Sequence, residues 1–166
     1  KNGILFKTAA ILENAGKIEI VALDKTGTIT EGEPKVTDVI PAGNITEDEL
    51  LSLAVSLEAK SEHPLAKAII QRGEELSVKP EEVTEFEALP GNGLHAVSNG
   101  KLLLGGSLRF LSEQTGVSKE LRTQAQELAE QGKTPLLFAQ DGRMLGIIAV
   151  ADTMKEDSPK AIQELR

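Results

Sequence analysis

The chain has 166 residues, 40% hydrophobic and 27% charged, enough to bury one good core or two small ones that share a chain crossing. Its formal charge of -8 argues against a nucleic-acid surface, which needs clustered lysine and arginine. The absence of cysteine excludes disulfides, zinc fingers and thiolate metal centres, and His63 and His95 alone are a poor basis for a transition-metal site.

Residues 1–17 read as a mixed, helical lead-in with Leu5, Ala9, Ile11 and Leu12 as its apolar positions. The β-branched run Ile18-Glu19-Ile20-Val21-Ala22-Leu23 predicts a buried strand and sets Asp24 at its carboxyl end, the edge where ligands gather in open α/β sheets. A carboxylate held there can attack the terminal phosphorus of a nucleotide to form an aspartyl-phosphate. Lys25, Thr26, Thr28 and Thr30 crowd one ammonium and several hydroxyls around the same place, supplying the positioning and charge compensation that phosphoryl transfer requires. An isolated aspartate after a strand more often caps a turn. The complete heptad Asp24-Lys25-Thr26-Gly27-Thr28-Ile29-Thr30 favours the chemical reading.

Pro34 and Pro41 punctuate an extended stretch with Val36, Val39 and Ile40, read as the chain leaving one domain and entering another. Thr46-Glu47-Asp48-Glu49 matches a capping box, and Leu50, Leu51, Ala54, Val55 and Leu57 follow at helical spacing, predicting a helix from about Glu47 to Ala59. His63 precedes Pro64 and is pushed out of helical geometry, leaving its ring at the mouth of a second helix that ends near Glu75. After Pro80 the texture changes to short strands, Val83 to Ala88, Leu94 to Ser98 and Lys101 to Leu104, with Asn99-Gly100 as a type I′ turn. A helix from Lys119 to Gln131 precedes the strand Pro135 to Gln140, and Asp141-Gly142 turns a second hairpin into Met144 to Val150. Helices on one face of a mostly antiparallel sheet are the α+β arrangement. The longest apolar run, Leu145 to Ala151, is too short to span a bilayer, and no signal peptide is visible.

Two phosphate-loop readings fail on context. Gly132-Lys133-Thr134 has Glu127 at the position of a Walker A first glycine and lies between helix and strand in the wrong order. Gly91-Asn92-Gly93-Leu94-His95-Ala96 leads into a strand, so its glycines cannot set a pyrophosphate on a helix N-terminus.

The heptad Asp24 to Thr30 resembles the phosphorylation motif of P-type ATPases, the ion pumps that cycle through an aspartyl-phosphate. Ser61-Glu62-His63-Pro64-Leu65-Ala66 resembles the nucleotide-domain signature of their heavy-metal (P1B-type) branch, and Ala149 to Lys160 resembles the segment that re-enters the phosphorylation domain. The likeness covers nearly the whole chain. It implies an α+β nucleotide-binding domain, an antiparallel sheet with flanking helices, inserted in an incomplete α/β HAD-like phosphorylation domain. Residues 1–31 and 150–166 would belong to the phosphorylation domain and 32–149 to the nucleotide-binding domain.

By this resemblance ATP and Mg²⁺ are the cofactors and Asp24, Lys25 and Thr26 the catalytic residues, with Asp24 and the backbone carbonyl of Thr26 forming part of a Mg²⁺ site. Related phosphatases carry a second aspartate where Thr26 stands, so the implied phosphoenzyme is long-lived and a phosphatase reading is disfavoured. Glu58 and His63 would seat the adenine, and Gly91, Gly93 and Gly105 would let the backbone approach the nucleotide. Gly105-Gly106 stands where the family usually shows Gly-Asn, so the amide of that asparagine is missing.

The Thr-Gly-Asp and Gly-Asp-Gly-x-Asn-Asp segments of the family do not occur. The isolated chain is therefore expected to bind ATP weakly and not to phosphorylate itself at a useful rate. The implied setting is the cytoplasmic portion of an integral protein of the cell membrane, working with transmembrane and actuator domains of the same pump to export copper(I) or zinc/cadmium, with no nucleic-acid partner. A stand-alone nucleotide-binding regulatory module without pump activity is the competing expectation.

Overall fold

The computed structural model describes residues 8, 11, 13, 17, 18, 20, 22–89, 91, 93–155 and 157–164. Its centre is a six-stranded, wholly antiparallel sheet in the order β1-β6-β5-β4-β3-β2. The strands are β1 (Thr30–Pro41), β2 (Val83–Leu89), β3 (Gly93–Ser98), β4 (Lys101–Gly106), β5 (Thr134–Gln140) and β6 (Arg143–Met154). The helices are α1 (Glu47–Glu58), α2 (Pro64–Glu75), α3 (Leu108–Gln114), α4 (Lys119–Glu130) and α5 (Ser158–Glu164).

Local chemistry accounts for most element boundaries. Thr46 Oγ1 accepts from the Glu49 amide at 3.2 Å while the Glu49 carboxylate accepts from the Thr46 amide at 2.8 Å, closing the capping box that starts α1. Ser107 and Ser118 cap α3 and α4 by a single side-chain bond each, accepting from the Phe110 and Leu121 amides. Both hairpin turns take positive φ at both central residues, 51° and 75° at Asn99-Gly100 and 46° and 75° at Asp141-Gly142, as the twist of the flanking strands demands.

The sheet is covered on both faces, a difference from the one-faced arrangement expected above. Leu103, Phe138, Ile148 and Val150 point into one apolar cluster with α1 and α2, and their neighbours Leu104, Leu137, Ala139, Ile147 and Ala149 point into another with α3 and α4. Two-sided burial is why β6 reads as a continuous apolar run and not as an alternating one. Helix α3, which was not anticipated, is too short to show a clear period, but Phe110 and Leu111 bury it against the second face.

The predicted strand Ile18 to Leu23 is a second correction. Its described residues Ile18, Ile20, Ala22 and Leu23 are in no strand, and Ile20 is 88% exposed. Such a run is stable as a strand only between neighbours that bury both its faces, and none of the six described strands pairs with it. Most of the helical lead-in, including Leu5, Ala9 and Leu12, lies outside the described residues; Ile11 and Glu13 are helical. Pro34 is tolerated within β1 because β1 is an edge strand, and the β1–β6 register shifts between Thr30 and Pro34. β1 and β6 stay paired from Thr30↔Met154 to Pro41↔Gly146 and so run across both expected domain boundaries, at 31/32 and at 149/150.

Candidate functional site

A cleft of about 730 Å³ opens where the end of α1, the start of α2 and the strands β2 to β5 converge. Glu58, His63, Gly91, Gly93 and Gly105, spread over the middle of the sequence, all line it. Leu65, Phe86, Leu94 and Leu136 give apolar walls, and Lys60, Ser61, Glu62 and Ser107 add polar groups. A mostly apolar cavity of this size with a few convergent polar groups suits a small organic ligand.

Each predicted residue is held for a reason legible in its neighbourhood. Glu58 is the last residue of α1 and is 6% exposed. Burial pushes its carboxyl up to about 7, opposed by a hydrogen bond with Ser61. His63 is the N-cap of α2, with Pro64 opening the helix, and its Nδ1 accepts from the Leu65 amide at 3.2 Å. This capping role of His63 does not compete with a ligand role. With Nδ1 engaged as acceptor, the neutral ring carries its proton on Nε2 and offers a donor.

Gly91 sits at φ +75° with open space where a Cβ would stand. Gly93 and Gly105 are required by packing: a Cβ on Gly93 would lie 2.4 Å from the Gly105 carbonyl oxygen, and one on Gly105 would lie 2.7 Å from Leu57 Cδ2. Asn92, between the first two, lies outside the described residues. Sequence reasoning missed Lys60, whose Nζ donates to the Val83 carbonyl at 2.9 Å, and Phe86. The scarcity of aromatics, four phenylalanines with no tryptophan or tyrosine, was the available signal for Phe86.

The Asp24 loop is separate from the lining of this cleft. Asp24 is exposed and outside regular structure, and Lys25–Ile29 form a single π-helical turn, of which the side chains of Lys25 and Thr26 are not described. The turn is tied down from the far end of the chain. Buried Thr30 donates through Oγ1 to an Asp152 carboxylate oxygen, and the Gly32 amide donates to the other at 2.9 Å. Lys155 Nζ donates to the Gly27 carbonyl at 2.7 Å, and Ser158 Oγ donates to the Ile29 carbonyl at 2.7 Å. Asp152→Ala removes the carboxylate that holds both Thr30 and Gly32. It is expected to cost about 1–3 kcal/mol in urea unfolding, whereas a truncation with no net effect would show the tie to be dispensable.

Among the described residues, no group of three His, Cys, Asp or Glu side chains is arranged to hold a metal ion. Asp24 supplies one carboxylate and the Thr26 backbone one carbonyl, both hard oxygen donors of the kind that Mg²⁺ takes. Among the described residues also, no helix is long and apolar enough to cross a membrane.

Comparison with known proteins matches residues 18–166 to the haloacid dehalogenase-like hydrolases. The chain is 44% identical over 165 residues to a probable copper-importing P-type ATPase A of Enterococcus hirae, covering 99% of this chain and 22% of that protein. It is 40% identical over 164 residues to a copper-exporting P-type ATPase of Bacillus subtilis, covering 99% of this chain and 20% of the relative. The crystal structure of a zinc-transporting PIB-type ATPase in the E2.Pi state superposes with a TM-score of 0.77 at 36% identity, over 86% of this chain and 23% of that one. The N-domain of HMA8, a copper-transporting P-type ATPase, superposes with a TM-score of 0.60 at 28% identity, over 70% of this chain and 99% of that domain.

Proposed function

From the premise that this chain belongs to the haloacid dehalogenase-like hydrolases and is a homologue of heavy-metal P-type ATPases, we propose that it is the ATP-binding cytoplasmic portion of such a pump. The observation that carries this reading is the convergence of Glu58, His63, Gly91, Gly93 and Gly105 on one cleft. Their chemistry fits a purine nucleotide: apolar walls for the base, a buried carboxyl and an Nε2 donor for its edge, and glycines where backbone must come close.

Residues 32–149 are the nucleotide-binding domain in this reading, and 1–31 with 150–166 belong to the phosphorylation domain. The paired strands β1 and β6 cross both boundaries and join the two parts by a double connection. Asp24 is the phosphoryl acceptor. One of its carboxylate oxygens bonds to the γ-phosphorus of ATP as the bond from phosphorus to the β,γ-bridging oxygen breaks, and ADP leaves with those electrons. Thr26 cannot act as general base toward water, so the acyl phosphate persists long enough to drive a conformational change. The hydrogen bonds from Lys155 and Ser158 hold the turn after Asp24 while this occurs.

Transmembrane and actuator domains of the same pump are the partners, and the transported cation is copper(I) or zinc/cadmium. The relatives include a probable copper-importing ATPase, a copper-exporting one and a zinc-transporting one at comparable likeness, which supports placing ion choice outside this portion. An amide NMR titration with ATP, with and without Mg²⁺, tests the reading. Shifts are expected to cluster at Glu58, His63, Gly91 and Gly93. A well-folded spectrum with no such response would reduce the resemblance to ancestry.

A further inference from the structure

Glu58 is buried in the cleft, and no ion pair among the described residues engages its carboxyl. The charged or titratable groups that share the cleft with it all come from the α1–α2 connection: Lys60, Glu62 and His63. Strands β2, β3, β4 and β5 contribute only apolar side chains and glycines to the lining. Lys60 Nζ is held on the Val83 carbonyl and His63 Nδ1 on the Leu65 amide. Burial, opposed only by the hydrogen bond with Ser61, is what pushes the carboxyl up to about 7.

The protonation state of this group decides which purine it matches. A carboxylic acid presents one donor and one acceptor, whereas a carboxylate presents acceptors only. Adenine offers an acceptor, N1, beside the donor of its 6-amino group. Guanine offers two adjacent donors, N1–H and the 2-amino group. Mismatched, either pairing leaves a buried polar atom without a partner, the situation that makes polar recognition selective.

We propose that Glu58 meets the purine as a neutral carboxylic acid, donating to adenine N1 and accepting from the 6-amino group, and that its ionisation shifts the cleft from adenine towards guanine nucleotides. The inference rests on the nucleotide reading above. It makes base selectivity a property of the apolar surroundings of Glu58, because those surroundings keep the proton on. Binding of adenine is then linked to retention of a proton and binding of guanine to its release.

The test is to measure ATP and GTP affinities in parallel from pH 6 to 8.5. The two triphosphate tails titrate alike and His63 meets both bases, so the ratio of affinities isolates the group that reads the base edge. The ATP-to-GTP ratio is expected to fall by about tenfold or more across that range. Glu58→Gln, whose amide presents a donor and an acceptor at every pH, is expected to give a ratio that does not change with pH. A flat wild-type ratio, with both nucleotides still shifting the cleft amides, overturns the neutral-carboxyl inference and leaves the proposed function standing. A ratio that varies equally in wild type and in Glu58→Gln overturns its assignment to Glu58. No response to either nucleotide overturns the nucleotide reading, and this inference with it.

Discussion

Glu58→Gln is expected to gain stability relative to wild type as pH rises from 4.5 to 7, by roughly 3 kcal/mol at the upper end. The carboxyl has an ordinary value of 4.5 and is raised to about 7 in the folded chain by burial. Between those values the folded state holds a proton that the unfolded state has released. Stability attributable to this group is therefore complete below 4.5, declines with rising pH, and is level again above 7. Glutamine has no proton to lose, so the variant lacks this decline. Urea unfolding of both proteins at pH 4.5, 6 and 8 measures the effect. The difference between them at each pH is the quantity of interest, because a fixed penalty for packing the amide cancels from its slope. A difference independent of pH would mean that Glu58 is hydrated and ionised in the folded chain.

Gly93→Ala should cost about 3 kcal/mol of stability and weaken the response of the cleft to nucleotide. The new Cβ would lie 2.4 Å from the Gly105 carbonyl oxygen and 2.6 Å from Phe110 Cδ1. Gly93 pairs with Gly106 and Leu94 with Gly105, so the clash falls between two strands held in register by backbone hydrogen bonds. The oxygen cannot retreat without breaking that ladder, and the Phe110 ring is buried in the second apolar cluster. Relief must come from a shift of β3 away from β4, which deforms the floor of the cleft. Thermal or urea unfolding measures the loss. A variant as stable as wild type would mean that the close approach of these two strands is readily relaxed.

The requirement for glycine at Gly93 thus has a source in packing as well as in any approach of a ligand. The resemblance to a known family pointed to the residue; strand contact supplies a physical reason that the resemblance did not contain. Glu58 illustrates the same relation in charge. The family resemblance pointed to its position, but its raised affinity for protons comes from burial, in a cleft whose apolar walls include Phe86, Leu94 and Leu136 from β2, β3 and β5.

Elements set by local chemistry were legible in the chain itself. The capping box at Thr46 fixed the start of α1, Asn99-Gly100 and Asp141-Gly142 fixed two hairpins, and His63-Pro64 fixed the start of α2, because each depends on hydrogen bonds and dihedral preferences within a few residues. The strand expected at Ile18 to Leu23 failed for the complementary reason. Its β-branched composition favours an extended chain, yet none of the described strands supplies a neighbour. Helices on both faces of the sheet, the tie from Asp152 to Thr30 and Gly32, and the burial that pushes the Glu58 carboxyl up were likewise beyond local pattern. By itself the sequence determined where most elements begin and turn and which side-chain types are on hand for chemistry, since those follow from short-range sterics and side-chain identity. The tertiary structure alone decided which of those residues share a cleft and how their protons are held, since burial and pairing are made by segments far apart in the chain.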